Sequence, residues 1–195
     1  MLNSNYWWSG GGPGADQGLA LTLLGGNRGG YIMDNQMKWL AKDLAAARKR
    51  GAQHIFIGNH DMAFPTGGHA ADAMWWNGLN DPSIPLGDVV AMRTRFMKLL
   101  NDYGVTALLC GHEHEYSRMI IDSGVEKLMS HSITQVVSGG SGAPLYRQDL
   151  TVPWVSAVKK FAMLNHYVLI SVDGAKVTLS AIDVDGRVFD TAILK

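Results

Sequence analysis

Helical and strand-like segments alternate through the first half of this chain of 195 residues. Residues 34–50 and 89–103 carry apolar side chains at helical spacing, and a glycine follows each segment directly. Short apolar runs at 54–57 and 105–110 follow those helices and predict strands. Since strands that alternate with helices pair in parallel, this pattern predicts an α/β fold.

The C-terminal third has a different pattern, because its strand-like runs follow one another without helices between them. The dipeptides Asp173-Gly174 and Asp185-Gly186 are hairpin signals between such runs. The sequence therefore predicts a mostly antiparallel C-terminal third. The further runs for which we predict strands are 19–24, 133–137, 167–172, 176–182 and 187–193.

The charge balance, the short apolar runs and the single cysteine limit the partners and bonds that we expect for this chain. Lysine plus arginine and aspartate plus glutamate each number 17, and this balance gives no electrostatic reason to expect nucleic acid or an anionic membrane. The apolar runs are too short to span a bilayer, and the first residues lack the pattern of a signal peptide, so we predict no membrane association and leave the compartment open. The single cysteine, Cys110, excludes an intrachain disulfide, and the length predicts a single domain over 1–195.

The motif Gly111-His112-Glu113-His114-Glu115-Tyr116 follows a predicted strand directly. In extended backbone, residues two apart point to the same side, so His112 and His114 can face one point while the two glutamates point away. His60 also follows a predicted strand. Because neutral imidazole is the commonest metal ligand among side chains, these three histidines predict a metal site at the ends of two strands.

Nearby polar residues add further candidates. Asn59 could also bind a metal, since an amide oxygen suits hard divalent ions. His69, in a loop rich in glycine and proline, could contact substrate or act as a proton donor.

A rival hypothesis is a serine hydrolase that uses Ser141 as its nucleophile. The stretch Gly139-Gly140-Ser141-Gly142-Ala143 resembles a Gly-x-Ser-x-Gly elbow, with alanine in the last glycine position. His166 would then be the base, with Asp173 or Asp183 as the acid. Such a motif should lead into a helix, and the nearby prolines argue against one.

Taken in order, several motifs resemble the calcineurin-like metallophosphoesterases, and in particular their purple acid phosphatase-like branch. They cover about residues 31–195. The motifs that carry the resemblance are Gln36-x-x-Trp39-Leu40-x-x-x-Leu44, Ile55-Phe56-Ile57-Gly58-Asn59-His60, Leu99-Leu100-x-x-Tyr103-Gly104-Val105, Gly111-His112-Glu113-His114-Glu115-Tyr116, Val137-Ser138-Gly139-Gly140-Ser141-Gly142-Ala143-Pro144-Leu145-Tyr146 and His166-Tyr167.

The resemblance implies a β-sandwich of two sheets flanked by helices, and hydrolysis of phosphoric esters by a hydroxide activated by divalent metals of the Zn, Fe or Mn class. It assigns His60 and His112 to one metal and His114 to the other. A second alignment reads Gly58-Asn59-His60-Asp61 as a different family motif, in which Asn59 is the ligand and His60 stabilises the transition state.

The early family motifs, Asp-x-His and Gly-Asp-x-x-Asp, are missing from this sequence. They supply the carboxylate that bridges the two metals, so we expect this chain to be the C-terminal half of a larger enzyme. Alone, it should bind at most one metal weakly and be slow or inactive. The uncovered sheet face should favour a homo-oligomer. The alternative is a non-catalytic relic of the fold that serves in binding or assembly.

Overall fold

The computed structural model describes residues 1–2, 32, 34–69 and 86–195, and it has a mixed α/β architecture. The elements, in chain order, are helix α1 (Asp34–Lys49), strand β1 (Phe56–Gly58), helix α2 (Leu86–Asp102), strands β2 (Ala107–Cys110), β3 (Tyr116–Ile121) and β4 (Ile133–Ser138), a 3-10 helix (Val155–Ala157), and strands β5 (Val158–Ala162), β6 (His166–Asp173), β7 (Lys176–Asp183) and β8 (Val188–Ile193).

Helix α1 follows the predicted periodicity. Leu40 and Leu44, one turn apart, are each 1% exposed and belong to the same apolar core as Leu100 of α2. Arg48, near the end of α1, donates from Nε to the Tyr103 carbonyl at 2.7 Å and from Nη2 to the Gly104 carbonyl at 2.6 Å. These bonds satisfy carbonyls at the end of α2 and tie the two helix ends together.

Two sheets form the β part of the molecule. The first contains five strands in the order β1-β2-β4-β3-β5, in which β1, β2 and β4 run parallel while β3 is antiparallel to both of its neighbours. The second is an antiparallel meander in the order β6-β7-β8. The parallel strands place their C-terminal ends at one edge of the first sheet, and that edge carries the candidate site.

The two sheets meet through a small apolar cluster of their own. Tyr116 and Val136 from the first sheet and Leu179 and Ala181 from β7 are all buried there. A larger core lies around the two helices and the five-stranded sheet and includes Phe64, Phe96 and Met119, which are at most 1% exposed. The parallel strands are therefore buried on both faces, which explains their continuous apolar runs.

The predicted fold class is confirmed: the chain is α/β, with a C-terminal third that is mostly antiparallel. The sequence interpretation missed two strands. β3 is buried at four of its six positions, which hides the alternation of a half-exposed strand. In β5, two adjacent lysines interrupt the apolar pattern. The strand predicted at 19–24 lies outside the described residues. The same holds for residues 70–85, the part of the predicted loop that follows His69.

Neither helix in the described part of the chain combines the length and apolar character needed to cross a bilayer.

Candidate functional site

The candidate site lies at the C-terminal ends of β1 and β2, which are adjacent and parallel. The chain leaves β1 into Asn59 and His60, and it leaves β2 into Gly111 and His112. The amide of Gly111 donates to the His60 carbonyl at 3.0 Å, so the ladder of the sheet continues one step beyond both strands. The histidines that follow the two strands are therefore brought side by side.

His60 and His112 form a close pair. Nε2 of His60 lies 3.0 Å from Nδ1 of His112, and the two rings meet edge to face with their centroids 4.9 Å apart. Nε2 of His112 lies 3.7 Å from Oδ1 of the buried Asp61. Burial lowers the pKa of His60; the Asp61 carboxylate opposes this shift, and the neighbouring histidines add to it. The neutral form of His60 is favoured, and it keeps a lone pair for a ligand.

His69 lies against this pair. Its ring centroid is 4.1 Å from that of His112, and its Nε2 lies 3.2 Å from the hydroxyl of Tyr146. His114 is farther out, with its centroid 6.4 Å from that of His69. Its Nδ1 donates to the Pro144 carbonyl at 3.0 Å, and its ring stacks on Tyr146 at 4.6 Å. We call these four residues, His60, His69, His112 and His114, the histidine cluster.

The structure thus brings His60 and His112 together and places His69 against His112, while the His114 ring lies 6.4 Å from that of His69. The assignment of His60, His112 and His114 to a metal site stays a prediction. Tyr146 was not singled out from the sequence, although it contacts both His69 and His114. Its place directly after the glycine-rich loop is the only signal that could have suggested it.

The backbone of His112 is in a left-handed conformation, with φ of 65°. Among the described residues, it is the only non-glycine residue with a positive φ. The preceding strand and the turn at Gly111 hold it there, since the Glu113 amide donates to the Gly111 carbonyl at 2.8 Å. Strained backbone that persists in this way clusters at functional sites.

Glu113 and Glu115 point away from the histidines, as the alternation predicted, and both side chains are fully buried. The Glu113 carboxylate accepts hydrogen bonds from the amides of Thr66, Gly67 and His69. Burial, and then the adjacent Glu113 carboxylate, raise the pKa of Glu115 to about 10. Burial thus favours the protonated form of Glu115, and the two glutamates form a buried network beneath the histidine cluster.

The described residues supply part of a metal site. Two nitrogens bound at about 2.1 Å to one tetrahedral ion lie about 3.4 Å apart, close to the 3.0 Å between His60 and His112. Oδ1 of Asn59 is buried and has no hydrogen-bond partner among the described residues, while its Nδ2 donates to the Asp61 carbonyl. This lone pair is available to a hard cation, which keeps the alternative role for Asn59 open.

A complete metal site is not formed by these residues. Within the ranges 34–69 and 86–195, no group of three or more histidine, cysteine, aspartate or glutamate side chains is arranged to hold a metal ion. Because catalytic zinc needs three protein ligands, the described side chains alone do not fit a resident metal.

The glycine-rich loop after β4 passes against the histidine motif. A Cβ on Gly139 would lie 1.9 Å from the Glu113 carbonyl, and a Cβ on Gly140 would lie 2.4 Å from the Leu164 carbonyl. Only glycine permits these two approaches. The loop therefore acts as a close-packed support for the histidine motif.

The serine that contacts His166 is Ser138, which was not nominated from the sequence. Ser138 Oγ lies 3.0 Å from Nε2 of His166, and Nδ1 of His166 donates to the Leu164 carbonyl at 2.9 Å. Both ring nitrogens of His166 are thus occupied, and neither is left to act as a base toward Ser141. Ser141 is exposed, and its amide donates to the Gly139 carbonyl. This geometry gives the serine hydrolase hypothesis no support.

No protein-family model and no curated protein sequence matches this chain. Solved structures do match it. Purple acid phosphatase PPD1 from yellow lupin (Lupinus luteus) seeds aligns over 81% of this chain with a TM-score of 0.63 and 19% identity. The fold of this chain is therefore similar to part of the fold of that purple acid phosphatase. GAP50, the anchor in the inner membrane complex of Plasmodium, aligns over 82% of this chain with a TM-score of 0.56 and 15% identity.

The alignment covers only part of each neighbour. This chain spans 28% of the lupin phosphatase and 41% of GAP50. At these identities the likeness concerns the fold alone. The predicted β-sandwich flanked by helices is therefore present here in part.

Proposed function

We propose that this chain is the C-terminal part of a phosphoric ester hydrolase, and that the histidine cluster is its share of the reaction site. The observation that carries the proposal is the pair His60–His112, whose nitrogens lie 3.0 Å apart at the adjacent ends of two parallel strands. The carboxyl ends of such strands are where α/β sheets bind ligands. The likeness of the fold to a purple acid phosphatase supports this class of reaction.

The chemistry follows from partly buried imidazoles, among which burial favours the neutral form of His60. A phosphoric ester carries non-bridging oxygens on which negative charge increases during hydrolysis, and imidazole N–H groups can donate hydrogen bonds to them. His69, with its ring beside that of His112, is the candidate to contact substrate or to protonate the leaving oxygen.

The same proposal assigns His60 and His112 to one divalent ion of the Zn, Fe or Mn class, with Asn59 as the alternative ligand. Bound there, the ion would supply a water molecule of lowered pKa as the source of hydroxide. The remaining ligands, carboxylates above all, would come from the part of the enzyme that carries the motifs Asp-x-His and Gly-Asp-x-x-Asp, which are missing from this sequence. For this reason we expect the isolated chain to bind at most one ion weakly and to hydrolyse phosphate esters slowly or not at all.

The test is a titration of the purified chain with Zn²⁺ against a chromophoric chelator, paired with an assay on a generic aryl phosphate. His60→Ala and His112→Ala should each weaken Zn²⁺ binding by about tenfold or more. His54→Ala is the matched control, because His54 is bonded to the Gly174 carbonyl, away from the histidine cluster, and it should leave binding unchanged.

Two outcomes would contradict the proposal in different ways. Zn²⁺ binding that is unaffected by both substitutions, together with no aryl phosphate hydrolysis, would remove the hydrolase assignment. Binding of two ions per chain with strong phosphatase activity would keep the assignment and show that the isolated chain is a complete catalyst.

A second candidate function, assembly without catalysis, is favoured by the outer face of the second sheet. Eleven side chains form this face, and only two of them, Asp173 and Lys176 at one end, are charged. The other nine are Tyr167, Leu169, Ser171, Thr178, Ser180, Ile182, Val188, Thr191 and Ile193. Four are large, apolar or aromatic, and more than half exposed, namely Tyr167, Leu169, Val188 and Ile193.

Such a face invites coverage by another apolar surface. We propose a second copy of this chain as the partner, which makes the protein a homo-oligomer. The likeness of the fold to GAP50, which is described as the anchor in the inner membrane complex of Plasmodium, is consistent with a use of this fold in assembly.

A further inference from the structure

We propose that Glu113 is a positioning residue, whose buried carboxylate fixes the segment Thr66–His69 and thereby holds the His69 ring against His112. The proposal adds a role for a residue that the sequence pattern set aside as turned away from the site. It rests on the proposed function only in so far as the place of His69 matters for the reaction. The geometry itself can be tested without turnover.

The contacts are concentrated on one side chain. Oε2 of Glu113 accepts from the Thr66 amide at 2.7 Å, and Oε1 accepts from the Gly67 amide at 2.7 Å and from the His69 amide at 3.1 Å. Glu113 itself is fully buried. Hydrogen bonds to an ionised acceptor are shorter and about twice as strong as neutral ones. Three backbone amides on one buried carboxylate therefore fix the course of the segment.

The segment needs this carboxylate because it passes very close to the protein interior. A Cβ on Gly67 would lie 2.6 Å from Oε2 of Glu115, so only glycine permits the approach. The buried Gly67 amide would otherwise lack an acceptor, which costs about 1–3 kcal/mol, and the part-buried His69 amide would lose the same partner. Glu113 satisfies both amides with a single oxygen.

Two other anchors of the loop act before this point in the chain. Trp154 donates from Nε1 to the Pro65 carbonyl at 2.6 Å, and the Asp149 amide donates to the Thr66 carbonyl at 2.8 Å. Loss of the Glu113 carboxylate should therefore leave Pro65 and Thr66 in place. The backbone of Gly67 to His69 should be released, while Nε2 of His69 keeps its own contact, 3.2 Å from the Tyr146 hydroxyl.

The variant Glu113→Gln removes the charge of the carboxylate but keeps the size and shape of the side chain. Glutamine has the same size and keeps one acceptor oxygen, but its amide nitrogen would face backbone N–H donors. At least one of the three amides must then lose its acceptor. Glu126→Gln is the matched control, because Glu126 is also buried (8% exposed) and is bonded to Thr94 Oγ1 at 2.8 Å, outside the candidate site.

The experiment is NMR on the whole 195-residue chain, with amide hydrogen exchange and contacts between histidine rings as readouts. In Glu113→Gln we expect exchange to accelerate by at least tenfold at the amides that lose their acceptor, which are Thr66 or else Gly67 and His69, and the ring contact between His69 and His112 to weaken. The contact between His60 and His112 should remain, since the sheet ladder holds it. In Glu126→Gln both ring contacts and these exchange rates should match the wild type.

Three results would overturn the proposal. The first is an unchanged exchange rate at Thr66, Gly67 and His69 in Glu113→Gln, together with an unchanged contact between His69 and His112. The second is an equal acceleration of all amides in both variants, which reflects general destabilisation. The third needs no variant, so it can be measured even if Glu113→Gln fails to fold. It is hydrogen exchange at the Gly67 and His69 amides of the wild-type chain that is less than a hundredfold slower than in free peptide. Since none of these readouts uses metal or substrate, a failure of the hydrolase proposal leaves the test of Glu113 intact.

Discussion

The hydroxyl of Tyr116 on β3 donates a 2.6 Å hydrogen bond to the carboxylate of Asp190 on β8, across the gap between the two sheets. Arg118 donates to the same carboxylate, at 2.7 Å from Nε and 3.0 Å from Nη2. The side chains of Arg118 and Asp190 are only 13% and 9% exposed. A buried charged group of this kind must be paired, so the contact fixes how the second sheet packs on the first.

Asp190→Asn should therefore destabilise the fold strongly. We expect a loss of about 3 kcal/mol in the free energy of unfolding, because the Arg118 guanidinium is left without a compensating charge in a buried position. Urea denaturation measures this loss. The control is Asp185→Asn, since the pair Arg187–Asp185 is exposed (77% and 64%) and should change stability by less than about 0.5 kcal/mol. Equal midpoints for Asp190→Asn and the wild type would show that the contact contributes nothing.

The same carboxylate predicts a dependence on pH. Burial acts to raise the pKa of Asp190, but hydrogen bonds from Arg118 and Tyr116 and the charges of Arg118 and Lys160 outweigh burial and lower it. Because the folded pKa lies below the unfolded value of about 3.9, the stabilisation is present above that pH and is lost as the pH falls through the folded pKa. Denaturation at pH 6 and pH 3 should show a smaller acid loss in Asp190→Asn than in the wild type. Identical losses would refute the linkage.

Gly139→Ala should disturb both the fold and the histidine motif. The new Cβ would lie 1.9 Å from the Glu113 carbonyl and 3.4 Å from Cα of His114, so backbone must move. We expect a loss of more than about 3 kcal/mol in the free energy of unfolding, or no folded protein. Gly142→Ala is the comparison: its φ is +98° with nothing within 4 Å, so only a backbone cost of about 1–2 kcal/mol applies. Similar melting temperatures for the two variants would contradict the expected order.

The outer face of the second sheet predicts association. Leu169→Glu places a charge on that face and should shift the molecular mass, measured by light scattering at micromolar concentration, toward that of the monomer. Val184→Glu is the control, because Val184 is 77% exposed in the turn between β7 and β8 and not on the face. A wild-type chain that is monomeric under the same conditions would end the homo-oligomer proposal.

The pairing of His60 with His112 could be anticipated from the sequence, because each histidine follows an apolar run that parallel pairing brings to one edge. The contact of His69 with Tyr146 could not, since the two residues are 77 positions apart and neither lies on a regular element. The sequence also predicted correctly that the Glu113 side chain points away from the histidines. It could not give the partners, which come from a loop 44 to 47 residues earlier.

The limits of the strand predictions have a simple physical origin. Alternation of polar and apolar residues identifies a strand only when one face of the sheet is exposed to solvent. β3 lies between two other strands, and most of its side chains are buried. Helix α1 was easier, because its exposed face is charged and its buried face is apolar. The antiparallel meander was found through Asp173-Gly174 and Asp185-Gly186, where the glycines have φ of 55° and 79°.

Because the backbone at His112 is left-handed, a substitution that stabilises the fold at this position would also remove the imidazole ring. Glycine at this position would relieve about 1 kcal/mol of strain, yet it would remove one member of the pair with His60. A laboratory selection for heat tolerance alone would thus enrich glycine or asparagine at position 112. The most heat-stable variants from such a selection would lack the imidazole of His112.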